Sequence, residues 1–375
     1  MKSVVVCVTT DLVTDNRVRR HCLVLHELGF KVTLVGRELP TSIPLEQLPY
    51  QSHRFKLPFH RGPLFYFSYQ LWLWFYLWRL KPEFYWSNDL DSVLPCYFLS
   101  KFRKRKLVFD AHELFTEVPE LENSPIKKKI WHKIEQRFAT RADYFITVNN
   151  SLAKKFNKWY GINPVVIRNV PEKTELPLPH IRTILNIPDN HLILIVQGSG
   201  INHGRGLMET LMAIKEVSLT TLLVIGSGDA VAEGKRLTNE LDISDRVHFI
   251  SRLPYSALMQ YTQMADIGLA FDTHPCLNFQ LALPNKIFDY FNAGIAVICG
   301  DQPEIAKLVE TYRCGYQMKT SDVKGIIWAI NFYQSNPDVL ANHKAMAKKA
   351  SETEQWDQEK NILIALINQL CAKVD

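Results

Sequence analysis

Lys286 and Asp289 lie three residues apart at the start of a short predicted helix, and this pairing of residue types suggests chemistry. Pro284 ends the segment before the helix, Asn285 suits the N-cap, and Gly294 suits the left-handed position after the last turn. A lysine at a helix N-terminus opposes the helix dipole, which prefers anions there. A bound phosphate would resolve this conflict. The alternative is a solvated Lys–Asp pair on an ordinary helix surface.

Two loops with closely spaced glycines follow predicted strands upstream of this helix. The first loop contains Gly198, Ser199, Gly200 and Arg205, and the second contains Gly226 and Gly228. Small residues let backbone N–H groups approach an anion, and an arginine supplies a fixed fork to a diphosphate. Neither loop has the spacing of a dinucleotide fingerprint or the Gly-Lys-Ser/Thr of a P-loop, so a tight turn remains the alternative for each.

These motifs belong to a chain in which short apolar runs alternate with amphipathic stretches, a pattern that predicts parallel sheets. The predicted strands of the first half are Val4–Val8, Val32–Val35, Phe84–Trp86, Leu107–Phe109 and Tyr144–Val148. Those of the second half are Leu192–Gln197, Thr221–Ile225, Arg246–Ile250, Ile267–Phe271 and Ala296–Cys299. A proline-rich connector at 169–179 separates them. We therefore predict domains at 1–170 and 171–355, and a final helix at 356–375 that crosses back to the first domain.

Composition narrows the class of protein. The chain has 375 residues and 47% hydrophobic content, which is typical of two globular domains. Its seven cysteines are scattered without a Cys-x-x-Cys pair, which argues against a disulfide framework or a zinc site and fits a reducing cytosol. The run Val4–Val8 is too short for a signal peptide and is predicted to be a first strand.

Charge is unevenly distributed along the chain. Residues 1–170 hold 26 Lys and Arg against 15 Asp and Glu, a net charge of +11, whereas the remaining residues carry −5. Most of the excess lies in Lys101–Lys106 and Lys127–Lys129. Such runs are usually solvated surface, but this bias also suits an anionic membrane or a nucleic acid.

The segment Leu64–Leu80 reads LFYFSYQLWLWFYLWRL and is unusually rich in aromatic residues. We favour a buried or interdomain helix. The alternatives are a helix that lies in the membrane interface, where tryptophan and tyrosine concentrate, and a helix that spans the bilayer. A span needs about 20 apolar residues, and this run is shorter and bracketed by Pro63 and Pro82.

Eight segments, taken in order, resemble the family 4 glycosyltransferases, which have the GT-B architecture. They are FDAHELFTEVPEL, TVNNSLAKKF, VIRNVP, GSGINHGRGL, VIGSGD, VHFISRLPYSAL, LPNKIFDYFNAGIAVI and PEIAKLV. The resemblance implies an α/β chain of two Rossmann-like parallel-sheet domains facing across a cleft. The first domain would bind the acceptor and the second the nucleotide sugar.

The resemblance also implies roles for single residues. Asp289 stands where the family has a glutamate that holds the donor ribose, and Arg205 stands where it has a diphosphate-binding lysine. A family arginine falls at Ser199 and a family glutamate at Leu281, so both groups are missing, and we expect Lys286 to replace the arginine. The donor-binding set is completed by Gly198, Ser199, Gly200, Gly226, Gly228, Leu283, Pro284 and Asn285.

In the first domain, His112 resembles the family histidine that faces the donor sugar, and with Arg205 and Lys286 it makes up the expected catalytic set. A buried, hydrogen-bonded histidine is the alternative. Asp15, Arg17 and Asp89 are the expected acceptor-binding residues.

The function implied is transfer of a sugar from a nucleotide diphosphate sugar to a glycan or lipid-linked glycan acceptor, with retention of anomeric configuration. We expect neither a metal nor another cofactor, since Arg205, Lys286 and the loop amides would carry the phosphate charge. Bacterial capsule, exopolysaccharide or lipopolysaccharide synthesis would fit. The expected location is cytoplasmic, with or without peripheral contact with an anionic inner membrane face, and no nucleic-acid partner is expected.

Three other functions remain open from the sequence. The lost family residues at Ser199 and Leu281 leave room for a nucleotide-sugar-binding protein without turnover. A GT-B nucleotide-sugar epimerase would need additional acid and base carboxylates. A nucleic-acid binder would use the basic runs alone, without a recognisable RNA or DNA module.

Overall fold

The computed structural model describes residues 2–10, 12–13, 15–39, 42, 44–45, 47–60, 62–173 and 181–372. These residues form two compact units. The N-terminal unit holds the described residues up to Asn169 and those from Gln358 onward, and the C-terminal unit holds Val170 to Asp357. The predicted connector at 169–179 lies partly outside the described residues.

The N-terminal unit is built on a parallel sheet. Its strands are β1 (Ser3–Cys7), β2 (Lys31–Glu38), β3 (Gln51–Lys56), β4 (Phe84–Asn88), β5 (Lys106–Ala111), β6 (Tyr144–Thr147) and β7 (Val165–Val166). Its helices are α1 (Asn16–Glu27), α2 (Gly62–Leu80), α3 (Val93–Phe102), α4 (Pro119–Glu122), α5 (Pro125–Arg137) and α6 (Asn150–Tyr160), with 3₁₀ turns at Leu90–Ser92, Phe115–Glu117 and Ala139–Arg141. The strand order is β3-β2-β1-β4-β5-β6-β7.

The C-terminal unit repeats this plan with six parallel strands. They are β8 (Leu192–Gly198), β9 (Thr220–Gly226), β10 (Val247–Ile250), β11 (Ile267–Ala270), β12 (Ala296–Cys299) and β13 (Gly315–Gln317), in the order β10-β9-β8-β11-β12-β13. The helices are α7 (Ile181–Ile184), α8 (Leu207–Glu216), α9 (Ala230–Glu240), α10 (Tyr255–Met264), α11 (Leu277–Gln280), α12 (Lys286–Ala293), α13 (Pro303–Tyr312), α14 (Val323–Ser335) and α15 (Pro337–Thr353). The last helix, α16 (Trp356–Ala372), begins in this unit and continues in the N-terminal one.

The strand order of each sheet reverses direction at one point. In each unit, the second and third strands are added on one side of the first strand, and all later strands are added on its other side. The switch point therefore lies between β1 and β4 in the N-terminal unit and between β8 and β11 in the C-terminal unit. In open α/β sheets, ligands bind at the carboxyl ends of the strands beside such a switch point. The fold therefore directs attention to the loops that follow these four strands.

The prediction of two parallel-sheet, Rossmann-like domains is confirmed, and each strand predicted from the sequence is present. Three strands were not predicted: β3, β7 and β13. All three lie at sheet edges, where β3 is polar and the other two are only two and three residues long. Edge strands lack the continuous apolar runs that mark central parallel strands, so periodicity misses them.

The aromatic segment forms α2, but the predicted burial is only half right. Phe65, Tyr69, Leu73 and Leu77 are buried at a spacing of four residues, and they pack in the core of the N-terminal unit. The opposite face is exposed, so the prediction of a buried helix is wrong for that face. Among the described residues, no helix combines the length and hydropathy that crossing a membrane requires.

Candidate functional site

Helix α12 begins at Lys286, as the sequence predicts, and Asp289 lies one turn later. Gly294 closes the helix in the left-handed conformation, with φ 68° and ψ 38°. Asn285 takes the N-cap position, but its side chain caps no backbone N–H, so the predicted capping bond is wrong. Its helical backbone angles explain this, because a capping side chain normally needs an extended backbone at that position.

Asp272, which was not singled out in the sequence, contacts Arg205 and acts electrostatically on Lys286. Asp272 follows β11 and is buried, and Nη1 of Arg205 lies 3.0 Å from both of its carboxylate oxygens. The Arg205 guanidinium also lies 3.5 Å from the centre of the Phe279 ring. These contacts fix the arginine, whose side chain remains 27% exposed.

Lys286 shares this environment and its pKa reflects it. Burial, with Arg205 nearby, lowers the pKa of Lys286 to about 8, although Asp272 acts in the opposite direction. The cluster therefore has two cations and one buried anion, an excess of positive charge at a switch point of the sheet. A pyrophosphate is an anion of the kind that such a cluster would hold.

Asp289 is buried at 8% exposure, but polar groups surround it. The side-chain amide of Gln197 donates to one carboxylate oxygen at 3.1 Å, and the Tyr255 hydroxyl donates to the other at 2.8 Å. The Thr262 hydroxyl in turn donates to Gln197 at 2.7 Å. This network holds the carboxylate in a fixed orientation one helical turn from Lys286, and its predicted contact with a ribose stays a prediction.

The glycines of the two loops have a packing role. At Gly226, where φ is +138°, an added Cβ would lie 1.9 Å from the carbonyl oxygen of Gly198. At Gly228 it would lie 2.1 Å from the carbonyl oxygen of Ile201. Only glycine lets the loops after β8 and β9 approach this closely, so these positions shape the sheet edge whether or not an anion binds there.

The other predicted donor-binding residues lie on the same unit in different settings. Ser199 and Gly200 are exposed after β8, and Pro284 and Asn285 precede α12 with partial to full exposure. The Leu283 side chain is buried in the apolar core beneath α12. Its backbone therefore remains the part available to a ligand, and its predicted donor contact stays a prediction.

In the N-terminal unit, His112 lies where β5 ends. Its Nε2 is 3.2 Å from Oδ1 of Asn88 and its Nδ1 is 3.5 Å from Asp89, which also accepts the His112 backbone N–H at 2.9 Å. Burial alone would lower the pKa of His112, but Asp89 and Asp110 outweigh it and raise the pKa to about 9. His112 is thus a half-buried imidazolium at neutral pH rather than a neutral core histidine.

The backbone of Asp89 is strained. Its φ of +53° is unusual for a residue other than glycine, and it places the carboxylate beside His112 at the switch point between β1 and β4. Burial raises the pKa of Asp89 to about 7, although His112 acts to lower it. Asp91, two residues on, is buried and accepts the Thr9 hydroxyl.

Two predicted acceptor-binding residues have structural roles in the N-terminal unit. Arg17 is only 3% exposed and donates through Nε and Nη2 to the buried Asp110 at 3.1 and 2.7 Å, and to the Ile167 carbonyl at 2.6 Å. Arg17 therefore anchors Asp110 in the interior, and its predicted contact with an acceptor stays a prediction. Asp15 caps α1 by accepting the Val18 N–H at 3.1 Å, which gives its carboxylate a local function as well.

Two family models divide the chain between them. The model described as Glycosyltransferase Family 4 matches residues 15–171, and the model described as Glycosyl transferases group 1 matches residues 180–353. The chain is a family 4 glycosyltransferase. A search of curated proteins finds no match.

Solved structures show that this glycosyltransferase has the GT-B fold. It is similar to sucrose-phosphate synthase from Thermosynechococcus elongatus, with 16% identity over 100% of both chains and a TM-score of 0.80. It is similar to Anabaena HepE in complex with UDP-glucose, with 15% identity over 98% and 100% of the chains and a TM-score of 0.77. WaaG, a glycosyltransferase involved in lipopolysaccharide biosynthesis, shows 14% identity over 96% and 99% and a TM-score of 0.75.

Several residues that organise the glycosyltransferase site were missed in the sequence. Asp272 carries a usable signal, because it directly follows the predicted strand Ile267–Phe271 and must lie at its carboxyl edge. Gln197 ends the predicted strand before the first glycine loop and could have been found in the same way. Tyr255 and Phe279 give no such signal, because they reach the site from α10 and α11 through packing alone.

Proposed function

We propose that this glycosyltransferase uses a nucleoside diphosphate sugar as donor and a glycan or lipid-linked glycan as acceptor, in bacterial surface polysaccharide synthesis. The observation that carries the proposal is the cluster of Arg205 and Lys286 around the buried Asp272 at the switch point of the C-terminal sheet. UDP-glucose in the HepE structure and the lipopolysaccharide role of WaaG support the classes of donor and acceptor.

In this proposal the pyrophosphate binds Arg205 and Lys286, and the attached ribose contacts the Asp289 carboxylate. When the bond between the anomeric carbon and the phosphate oxygen breaks, negative charge develops on the leaving diphosphate. The guanidinium and the ammonium stabilise that charge, which lowers the barrier because the interaction strengthens as the bond breaks. The two cations suffice for this step, so no metal is required.

The sugar is transferred with retention of configuration. The acceptor oxygen forms its new bond to the anomeric carbon on the face that the phosphate leaves, and the acceptor hydroxyl passes its proton to the departing phosphate oxygen. His112 serves as a cationic hydrogen-bond donor toward the sugar hydroxyls, since Asp89 and Asp110 keep it protonated at neutral pH.

The test is a thermal-shift screen of the whole chain with UDP, GDP, ADP and CMP sugars. A ligand at 100 times its Kd stabilises the folded state by about 2.7 kcal/mol, which is a readily measured shift. We expect a diphosphate donor to raise the melting temperature and a CMP sugar, with its single phosphate, to leave it unchanged.

Matched variants connect the shift to the site. Arg205→Ala should lose the donor-dependent shift, whereas Arg236→Ala, which removes an exposed arginine of α9 in the same unit, should retain it. Absence of a shift with every donor at concentrations well above millimolar, or a shift that survives Arg205→Ala, contradicts the proposal. A donor that binds but is never transferred to any glycan would favour a binding protein instead.

A further inference from the structure

Helix α2 is apolar around its whole circumference, although it lies at the surface of the N-terminal unit. Its inner face packs in the core, and its outer face leaves six large side chains between 44% and 63% exposed. They are Leu64, Phe67, Leu71, Trp72, Phe75 and Trp78. A surface helix normally carries polar residues on its outer face, and a large exposed apolar patch marks an interaction site.

The exposed surface continues onto the neighbouring helices. On α3, Phe102 is 72% exposed and its ring lies 5.5 Å from that of Trp78, and Phe98 is exposed beside Trp74. At the other end, the Tyr66 ring lies 5.1 Å from Trp131 of α5. Helix α5 exposes two isoleucines at a spacing of four residues, Ile126 and Ile130. We call these exposed side chains of α2, α3 and α5 the aromatic face.

Positive charge surrounds the aromatic face. Exposed lysines and arginines lie in or just after the last turns of α2 and α3 and along α5: Arg79, Lys81, Lys101, Lys104, Arg105, Lys127 and Lys129. Residues 62–80 and 93–106 contain no aspartate or glutamate. Arg103 ties the ends of the two helices together, because it donates to the Leu77 carbonyl at 3.0 Å and to the Tyr85 hydroxyl at 2.9 Å. The Arg103 guanidinium lies 5.4 Å from the centre of the Trp78 ring, so this cation is held beside the aromatic rings.

We propose that the aromatic face docks this protein on an anionic lipid bilayer. Helix α2, about 28 Å long at 1.5 Å per residue, would lie in the plane of the interface. Its tryptophans and phenylalanines would enter the boundary between headgroups and acyl chains, and the surrounding lysines and arginines would contact anionic headgroups.

The charge pattern favours a bilayer over a second copy of the chain. A symmetric self-contact would place the same cationic rim on both sides, and like charges would face one another without acidic partners from α2 or α3. An anionic surface complements both features at once. This inference adds a location to the proposed function, but vesicle binding requires no sugar transfer and can be tested by itself.

The first experiment is cosedimentation of the full chain with two kinds of vesicle, phosphatidylcholine alone and phosphatidylcholine with phosphatidylglycerol in roughly a 7:3 ratio. We expect at least about tenfold tighter binding to the anionic vesicles. The double variant Phe67→Ser/Phe75→Ser should weaken binding about tenfold or more, since both rings are exposed and would enter the lipid. Trp328→Ser removes an aromatic ring that is 53% exposed on the C-terminal unit and should bind like the unmodified chain.

The second experiment changes the charge alone. Lys101→Glu/Lys104→Glu/Arg105→Glu should abolish the preference for anionic vesicles, and the matched variant Lys215→Glu/Lys307→Glu/Lys349→Glu, in exposed positions of the C-terminal unit, should retain it. Collisional quenching of tryptophan fluorescence by brominated acyl chains should accompany binding. Measured on the unmodified chain, it reports insertion without relying on the folding of any variant.

Three outcomes overturn the docking proposal. They are no binding to either vesicle, equal binding of the aromatic-face and control variants, and a lipid-free dimer that Phe67→Ser/Phe75→Ser dissociates in sedimentation velocity. The last would assign the aromatic face to a second copy. Donor-dependent thermal shifts measured on the same variants separate the two proposals, because loss of vesicle binding with an intact shift leaves the transferase function standing.

Discussion

Replacing Arg205 with alanine is the most direct perturbation of the proposed mechanism. Its Nη1 lies 3.0 Å from both oxygens of Asp272, and its guanidinium lies over Phe279, so the charge is held in place before any ligand arrives. Loss of one preorganised donor toward developing negative charge costs about 10²–10³ in kcat, which corresponds to about 2.7–4 kcal/mol. We expect Arg205→Ala to fall in this range.

The variant should also change the pH dependence in a defined direction. Burial and Arg205 lower the pKa of Lys286 to about 8. As pH rises through that value the ammonium of the free enzyme loses its proton, so kcat/KM of the unmodified enzyme should decline above about pH 8. Without Arg205, burial alone opposes the attraction of Asp272, so the pKa of Lys286 rises and the decline should move to higher pH.

The assay is steady-state transfer from the donor found in the thermal-shift screen, measured from about pH 6 to 10 so that it brackets the Lys286 pKa. Lys286→Met should remove the decline near pH 8 altogether, and Arg236→Ala should behave like the unmodified enzyme. Circular dichroism melts of each variant separate loss of chemistry from loss of fold. A kcat within about threefold of the unmodified value, or a decline that stays at its original pH in Arg205→Ala, refutes the reasoning.

Three further variants test single features of the two units. His112→Gln should reduce the dependence of the unfolding free energy on pH. The raised pKa of His112 stabilises the folded state below about pH 6.5, and this stabilisation is lost as pH rises through about 9. Urea unfolding across that pH range measures the effect. Arg17→Met removes the arginine partner of the buried Asp110, which keeps His112 at 3.5 Å, and should lower the unfolding free energy by about 3–5 kcal/mol. Adding Asp110→Asn should recover part of that loss, whereas a surface acceptor contact would show no such cost. Asp289→Asn keeps the side-chain volume and should raise the donor Kd about tenfold to a hundredfold by calorimetry, and an unchanged Kd would remove Asp289 from the donor site.

Much of the fold could be predicted from the sequence because its signals are local. Short apolar runs with intervening amphipathic stretches predict each central strand, and parallel strands place the residues that follow them at one sheet edge. Local helix-start signals placed Lys286 at the start of α12, and the family resemblance pointed to His112, which the structure places directly after β5. Asp272 and Gln197 were within reach of the sheet-edge argument, since both lie at strand ends.

The remaining site residues depend on contacts between distant segments. Tyr255 and Gln197 meet the Asp289 carboxylate from positions 34 and 92 residues earlier in the chain. The Cβ clash that requires glycine at Gly226 arises from the backbone of a neighbouring loop. These contacts cannot be predicted from hydrophobic periodicity or motif spacing, because they depend on how distant segments pack together.

The sequence by itself determined that the chain has two parallel sheets and which residues occupy the ends of their strands, because hydrophobic periodicity and turn residues act over a few positions. Only the tertiary structure decided which of those polar residues remain at the site. From the sequence, Arg17 was predicted to contact a ligand. In the structure it is buried and paired with Asp110, which lies 93 residues away in the chain. From the sequence, helix α2 was predicted to be buried, but in the structure one of its apolar faces packs in the core and the other is exposed. A helix that is apolar on all sides does not indicate in its sequence which face will pack in the core.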